Sequence, residues 1–170
     1  MNPYVGIWNL QSAASTDSEV ELVEPRFDAE FECLSVSAMD LLETASPAEG
    51  LTIEITDAME FTQKVSGTPA VMCYDVEGVW HRSIMPFDGK CFAPQPDGRL
   101  YLISNDRPNW ATPKEEAKLL YFRYDDSDTV ICDFVELHNQ DLLRTVNVLT
   151  DGQYLDHILM KFARDNSPLG

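Results

Sequence analysis

One residue pair with the side chains for acid–base chemistry lies in a predicted β-hairpin. A two-residue turn at Glu77-Gly78 places Tyr74 opposite His81 on the two flanking strands. The same turn places Asp75 opposite Trp80. Because histidine changes its charge near neutral pH, His81 beside a tyrosine can transfer protons or orient a ligand. The ordinary alternative is a hydrogen-bonded, half-exposed histidine without such a role.

A second pair of polar side chains follows in a later predicted strand. Tyr121 and Arg123 lie two residues apart, so they share one face of the run over 118–124. An arginine is suited to bind a ligand carboxylate through paired hydrogen bonds, and Arg123 is equally suited to pair with a surface carboxylate of this chain. The sequence has no G-x-S-x-G, glycine-rich phosphate loop or H-E-x-x-H motif, so catalytic residues stay unassigned.

The cysteines and histidines lack the spacing of a metal site. The four cysteines are widely scattered and form no close pair of zinc-ligand or redox type: Cys33, Cys73, Cys91 and Cys132. In a reducing compartment such residues are small apolar packing groups. We therefore expect no metal and no cofactor. Haem bound by His81, His138 or His157 is the less favoured alternative.

The charge of the chain narrows the class of partner. Among 170 residues, 29 are Asp or Glu and 12 are Lys or Arg, which gives a formal net charge of −17. So few cations argue against binding to nucleic acid and to anionic membranes. The excess either keeps the protein soluble and monomeric or binds a basic partner surface through the acidic stretch over 17–32.

The N-terminal sequence and the hydropathy pattern predict a cytoplasmic protein. Met1-Asn2-Pro3-Tyr4 lacks the charged leader and apolar core of a secretory signal. No apolar stretch is long enough for a transmembrane helix.

Short β-type runs separated by turn residues fill the chain from residue 51 onward. The first, Leu51 to Thr56, alternates apolar and polar residues with the period of a half-buried strand. Further strands are predicted over 60–65, 70–75, 79–85, 90–93, 99–104, 118–124, 129–137, 142–149 and 154–164. Helix is expected only over 38–45 and as one turn beginning at Thr112-Pro113. This pattern favours a single domain, 1–170, built as an antiparallel sandwich or barrel.

Two ends of the chain carry a family resemblance. Gly6-Ile7-Trp8 opens the first predicted strand, and Arg164 closes the last. In this respect the chain resembles the lipocalin-like (calycin) proteins, as an intracellular member without signal or disulfides. The resemblance implies an up-and-down antiparallel barrel of about eight to ten strands. It also implies that Trp8 closes one end of the barrel with the Arg164 guanidinium stacked across its ring.

The Trp8–Arg164 pair also orients the last predicted hairpin. If Arg164 points inward, alternation turns Tyr154 and Asp156 inward as well, towards the open mouth. A two-residue turn at Asp151-Gly152 pairs Tyr154 with Leu149 and Asp156 with Asn147, which adds Asn147 to the inner face. A slip of one residue would exchange the faces and make Arg144 and His157 the polar groups of the lumen.

The favoured function is binding of a small, mostly apolar molecule inside the barrel. Expected ligands are fatty-acid-like, isoprenoid or tetrapyrrole-like, held in a lumen that is apolar at depth and polar at the mouth. The alternative is an isomerase, cyclase or lyase acting on an apolar substrate, with Asp156, Tyr154 and His81 as acid–base candidates. A possible homodimer would use the apolar outer face of the last hairpin. The expected ligand-binding residues are Tyr74, His81, Tyr121, Arg123, Asn147, Tyr154 and Asp156.

Overall fold

A computed structural model of the chain describes residues 2–19, 43–66, 73–76, 79–82, 87–92, 99–105, 111–114, 119–123, 130–150 and 154–167. Within these ranges, side chains are described for 2–14, 43–66, 88–91, 99–102, 105, 133–146 and 158–167, and the remaining strand residues are described by their backbone pairing.

Thirteen β-strands make up most of the described part of the chain. In order they are β1 (Gly6–Glu19), β2 (Ser46–Pro47), β3 (Leu51–Ile55), β4 (Glu60–Val65), β5 (Cys73–Val76), β6 (Val79–Arg82), β7 (Phe87–Phe92), β8 (Leu100–Ser104), β9 (Ala111–Lys114), β10 (Leu119–Arg123), β11 (Val130–His138), β12 (Asp141–Thr150) and β13 (Tyr154–Arg164). Every run predicted as a strand overlaps one of these, and the predicted bounds of β4 and β13 match at both ends.

Eight of the strands close into an antiparallel barrel. The order around the wall is β12-β13-β1-β3-β4-β7-β8-β11, and pairing of β11 with β12 completes the ring. Closure removes the free edges that an open sheet would expose. The predicted fold class, a mainly β antiparallel barrel, is confirmed.

The remaining strands lie outside this ring. β2 pairs with the middle of β1, and β5 pairs with β6 as a separate two-stranded sheet. β10 pairs with the first two residues of β11, and β9 pairs with β10. Leu149 near the end of β12 pairs with Val130, so β9 and β10 extend the wall at the barrel end far from Trp8.

Side chains from all eight wall strands meet in one interior cluster. They occupy alternate positions of each strand, as the two-residue period of a barrel wall requires. The buried members are Trp8, Leu10, Leu51, Ile53, Ile55, Phe61, Cys91, Leu100, Leu102, Val135, Leu142, Val146, Ile158, Met160 and Phe162.

A β-bulge changes which residues of β1 belong to the inner face. Leu10 pairs with Phe162, whereas Ser12 pairs with Lys161, so Gln11 is an extra residue in β1. Beyond the bulge Ala13, not Ser12, pairs with the interior residue Met160. A bulge of this kind bends a strand and strengthens its twist, which helps a sheet to close.

The helix predictions have different outcomes. The helical turn predicted at Thr112-Pro113 is wrong, because both residues lie in β9. Proline cannot donate a ladder hydrogen bond, but an edge strand tolerates it, and β9 ends the path of strands in this sheet. Of the helix predicted over 38–45, only the last three residues are described, and Glu43 is helical.

The outer face of the wall also carries buried apolar side chains. Leu143 and Leu159 are 8% and 2% exposed and pack with Ala14. On the neighbouring strands the rings of Tyr101 and Phe134 lie 5.6 Å apart. Leu159 belongs to the face predicted to form a dimer contact, yet it is buried within a single chain. The possible homodimer stays a prediction.

Candidate functional site

Trp8 and Arg164 close one end of the barrel. They pair across β1 and β13, and the guanidinium carbon of Arg164 lies 4.2 Å above the Trp8 ring centroid. Arg164 donates hydrogen bonds to the carbonyl oxygens of Val5 (2.7 Å) and Pro3 (2.5 Å). Trp8 Nε1 donates to the carbonyl oxygen of Tyr4 at 2.9 Å. One cation thus fixes residues 3–5 across the barrel end and stacks on its central ring.

Gly6 is needed to bring this guanidinium so close. A Cβ atom at residue 6 would stand 2.5 Å from Arg164 Nη1. The backbone φ of Gly6 is +145°, which side-chain-bearing residues rarely adopt. The Gly6-Ile7-Trp8 triplet and Arg164 therefore pack as one unit: Gly6 leaves the space that the Arg164 guanidinium occupies, and the guanidinium stacks on Trp8.

A charged group occupies the interior of the barrel above this end. Arg144 on β12 lies between Leu142 and Val146, two members of the interior cluster, and only 1% of it is exposed. Its guanidinium donates two hydrogen bonds to the Asp133 carboxylate, Nε to Oδ1 at 2.9 Å and Nη2 to Oδ2 at 2.6 Å. This paired geometry is the strongest that arginine and a carboxylate form.

A further hydrogen bond of Arg144 crosses the lumen. Arg144 Nη1 donates to Oε1 of Gln63 on β4 at 2.5 Å, and Gln63 is also 1% exposed. In the ring of eight strands, β4 is four strands away from β12 in either direction, so the two strands face each other. We call the set Gln63, Asp133 and Arg144 the cross-lumen bridge.

The surroundings of the bridge keep one neighbouring thiol uncharged. The Cys91 thiol on β7 is buried, and burial together with the nearby negative charge of Asp133 raises its pKa to about 12. The thiol is therefore protonated at neutral pH and acts as a small apolar group. The Arg144 cation and the Asp133 carboxylate balance each other, so the bridge is a polar layer without net charge.

The bridge lies well above the closed end. Arg144 pairs with Met160, four residues before Arg164 on β13. The side chains between the bridge and the closed end are apolar and fully buried, among them Phe162, Leu142 and Trp8. Apolar residues continue on the mouth side of the bridge as well, with Val146 and Ile158 paired and buried there. The first polar layer therefore lies inside the barrel rather than at the mouth.

The predicted register of the last hairpin is wrong by one residue. Thr150 pairs with Tyr154, so three residues connect β12 and β13 instead of two. Asp156 pairs with Val148 and Asn147 with His157. With a three-residue connection, each even-numbered residue of β12 pairs with an even-numbered residue of β13. Both arrangements considered from the sequence pair even-numbered residues with odd-numbered ones.

The new register separates the three candidate residues of this hairpin. Asp156 and Tyr154 occupy the same alternate positions of β13 as the interior residues Ile158 and Met160. Asn147 occupies the other set of positions on β12, opposite His157. The side chains of all these candidates lie outside the described set. On β1, Asp17 pairs with Asp156 and Glu19 with Tyr154. Acidic residues therefore concentrate where β1 and β13 pair at the end of the barrel far from Trp8.

The other four candidates lie on strands outside the ring. Tyr74 pairs with His81, and Asp75 with Trp80, as predicted for the β5–β6 hairpin. Tyr121 pairs with Thr112 and Arg123 with Val130 at the far end of the barrel. The side chains of Tyr74, His81, Tyr121 and Arg123 are outside the described set, so their part in a site stays a prediction.

Sequence reasoning named only one member of the bridge, and only in the less favoured register. Gln63 and Asp133 are separated from Arg144 by 81 and 11 residues, so no local motif joins them. A usable signal exists in each strand: a polar residue at a position whose alternate neighbours are apolar, as with Asp133 beside Ile131 and Val135.

The described residues contain no cluster of three or more His, Cys, Asp or Glu side chains arranged to hold a metal ion. No helix in the same part of the chain is both long and apolar enough to cross a membrane.

Comparison with known proteins gives a likeness among solved structures. No family model matches the chain, and no curated protein matches it. Among solved structures, the S-type phycobiliprotein lyase CpeS from Guillardia theta aligns over 97% of this chain and 90% of its own, at 15% identity and a TM-score of 0.33. The fold of this chain is established by its own strand pairing: a closed, eight-stranded antiparallel barrel with a polar bridge across its interior.

Proposed function

We propose that the barrel binds a small, mostly apolar molecule in the part of its lumen between the cross-lumen bridge and the mouth. The observation that carries this proposal is the buried Arg144–Asp133 ion pair within an otherwise apolar interior. A few convergent polar groups in an apolar enclosure are the usual composition of a small-molecule site.

The stability of the barrel alone does not account for this ion pair. Taking two charges out of water is costly, and well-packed apolar residues of similar volume are often as stabilising or more so. The wall below the bridge uses that apolar solution, with Phe162, Leu142 and Trp8 buried. A charged layer at one level therefore favours a role in recognition over a role in filling space.

We further propose Tyr154 and Asp156 as polar contacts near the mouth. Their support is positional, because they alternate along β13 with no break between them and the interior residues Ile158, Met160 and Phe162. His157, on the other set of positions, provides the matched control. Asp156→Asn and Tyr154→Phe should weaken binding, whereas His157→Gln should leave affinity unchanged.

The experiment that tests the proposal is mass spectrometry of the protein purified natively from its source. Spectra recorded under native and denaturing conditions should differ by a small-molecule mass that disappears on denaturation. The same native spectra show whether the protein is a monomer or the predicted dimer. A folded protein that carries no such mass and does not enhance the fluorescence of the neutral apolar dye Nile red would contradict the proposal.

The enzyme hypothesis predicts a different result in the same experiment. Acid–base catalysis requires a group whose protonation controls the rate, so conversion of the released molecule would follow a pH profile that simple binding does not require. Incubation of the recovered molecule with fresh protein across a range of pH separates the two: an unchanged mass supports binding, and a new mass supports catalysis.

A further inference from the structure

We propose that the cross-lumen bridge is the floor of the binding lumen and sets the longest ligand that the barrel accepts. This inference rests on the proposed function and assigns a specificity-determining role to Gln63, Asp133 and Arg144. Its starting point is the contact between opposite walls, since a side chain that reaches from β12 to β4 obstructs the lumen at its own level.

At least three hydrogen bonds hold the obstructing group in place. The Arg144 guanidinium is tied to Asp133 on β11 by two of them and to Gln63 on β4 by a third. The planar guanidinium is thus fixed from two sides of the barrel, and all three side chains are buried. A ligand tail could pass only by breaking these bonds and leaving a buried charge unpaired, which is strongly unfavourable.

The space beneath the bridge is already filled. Phe162 and Leu142 are fully buried there, and the Trp8 ring, with the Arg164 guanidinium stacked on it, closes the end. The bridge and the apolar layer below it act together, so the ligand is confined to the mouth side.

The wall above the bridge gives a limited depth. From Met160, which pairs with Arg144, to Tyr154 at the start of β13 is six residues. At a rise of about 3.3 Å per residue this is roughly 20 Å along the strand. Because barrel strands tilt by about 40°, the depth along the barrel axis is roughly 15 Å. A floor at this level predicts a sharp upper limit to ligand length.

Two double variants separate the volume of the floor from its charge. Asp133→Ala with Arg144→Ala removes both charges and the bulk that blocks the lumen; we call it the opened variant. Asp133→Leu with Arg144→Met removes the same charges but keeps apolar bulk, and serves as the matched control. Both change the two partners together, so neither leaves a buried charge unpaired.

The measurement is displacement of Nile red by a series of straight-chain primary alcohols, from hexanol to hexadecanol. Neutral alcohols avoid repulsion by the acidic chain. For the wild type, affinity should rise with chain length and then fall at a limit. The control should show the same limit. The opened variant frees the volume of the bridge but not the filled layer beneath it. It should therefore bind alcohols just beyond that limit at least ten-fold more tightly than the wild type does.

A third variant keeps the test decisive if the opened variant does not fold. Gln63→Ala removes the contact with the opposite wall and leaves the Arg144–Asp133 pair intact, and it should also extend the limit. An unchanged limit in every folded variant that removes bulk would overturn the inference while the proposed function stands. A limit that moves in the control as much as in the opened variant would also overturn it, because charge and not volume would then set the length. If wild-type protein binds neither Nile red nor any alcohol, both proposals fail.

Discussion

Gly6 shows how one residue without a side chain permits a contact between the two ends of the fold. The Arg164 guanidinium occupies the space where a Cβ of residue 6 would lie, and the backbone there has a positive φ. The sequence triplet Gly6-Ile7-Trp8 is thus explained by Arg164, a residue more than 150 positions away.

The Gly6→Ala variant should be destabilised by about 2 kcal/mol or more, because backbone strain alone is worth about 1–3 kcal/mol and the clash adds to it. Urea unfolding followed by tryptophan fluorescence measures the loss. The double variant Gly6→Ala with Arg164→Ala removes the clash, so the two effects should be less than additive. A Gly6→Ala protein as stable as wild type would contradict this account.

Cys91 should be the least reactive kind of cysteine in the folded protein. Its pKa of about 12 leaves almost no thiolate at neutral pH, and the thiolate is the form that reacts. Iodoacetamide labelling followed by peptide mass mapping should show Cys91 protected in native protein and modified in denaturant. Equal labelling rates in the two states would show that the thiol is neither buried nor protonated as described.

At the scale of the strands, sequence patterning predicted existence and position far better than register. Short β-type runs between turn residues indicated β3, β4 and β11 to β13, and β3 also shows the period of two that a half-buried strand imposes on its sequence. Register depends on the length of a connection, and Asp151-Gly152 suggested a two-residue turn where three residues connect the strands. One residue of difference was enough to place Asn147 on the wrong set of positions.

The cross-lumen bridge could not be predicted for a related reason. Its three residues come from β4, β11 and β12, and they meet only because the sheet closes with a particular stagger. The sequence shows each only as a polar residue at a position whose alternate neighbours along the strand are apolar. Which of them face one another is a property of the closed barrel, whereas Trp8 and Arg164 could be paired in advance because a family resemblance joins them.

The bridge also predicts an asymmetry between single and double variants. Arg144→Met alone leaves the Asp133 carboxylate buried without its cation and should lower the free energy of unfolding by about 3–5 kcal/mol. Adding Asp133→Leu removes the stranded charge, so the double variant should recover most of that loss. Thermal unfolding of the two proteins and the wild type gives the comparison. A double variant less stable than Arg144→Met would mean that the ion pair itself stabilises the barrel.

At the scale of the whole molecule, the dominant feature is a net charge of −17 on 170 residues. Like charges at this density repel one another, and the repulsion is greater in the compact state than in the expanded chain. The few described ion pairs, such as Lys161–Asp141 at 3.3 Å, offset little of it.

The melting temperature should therefore rise with ionic strength, because added salt screens the repulsion between exposed charges. The screening length falls from about 10 Å at 0.1 M to about 3 Å at 1 M, and charges farther apart than this length hardly repel. Differential scanning calorimetry in increasing sodium chloride measures this. Choline chloride is the control, since an equal effect of the two salts shows screening rather than binding of a particular cation. A melting temperature that falls with salt would indicate that attractive pairs dominate.

The pairing of Trp8 with Arg164 has a mechanical consequence. The start of β1 and the end of β13 lie side by side at the closed end, and the two strands run antiparallel from there. A force that pulls residues 6 and 164 apart acts across the hydrogen bonds of this seam, so the bonds open one after another rather than all together. The stacked guanidinium and its bonds to Val5 and Pro3 stand at the first point of opening. The contacts of Arg164 must therefore break before β1 and β13 can separate, and they set the force at which the barrel begins to open.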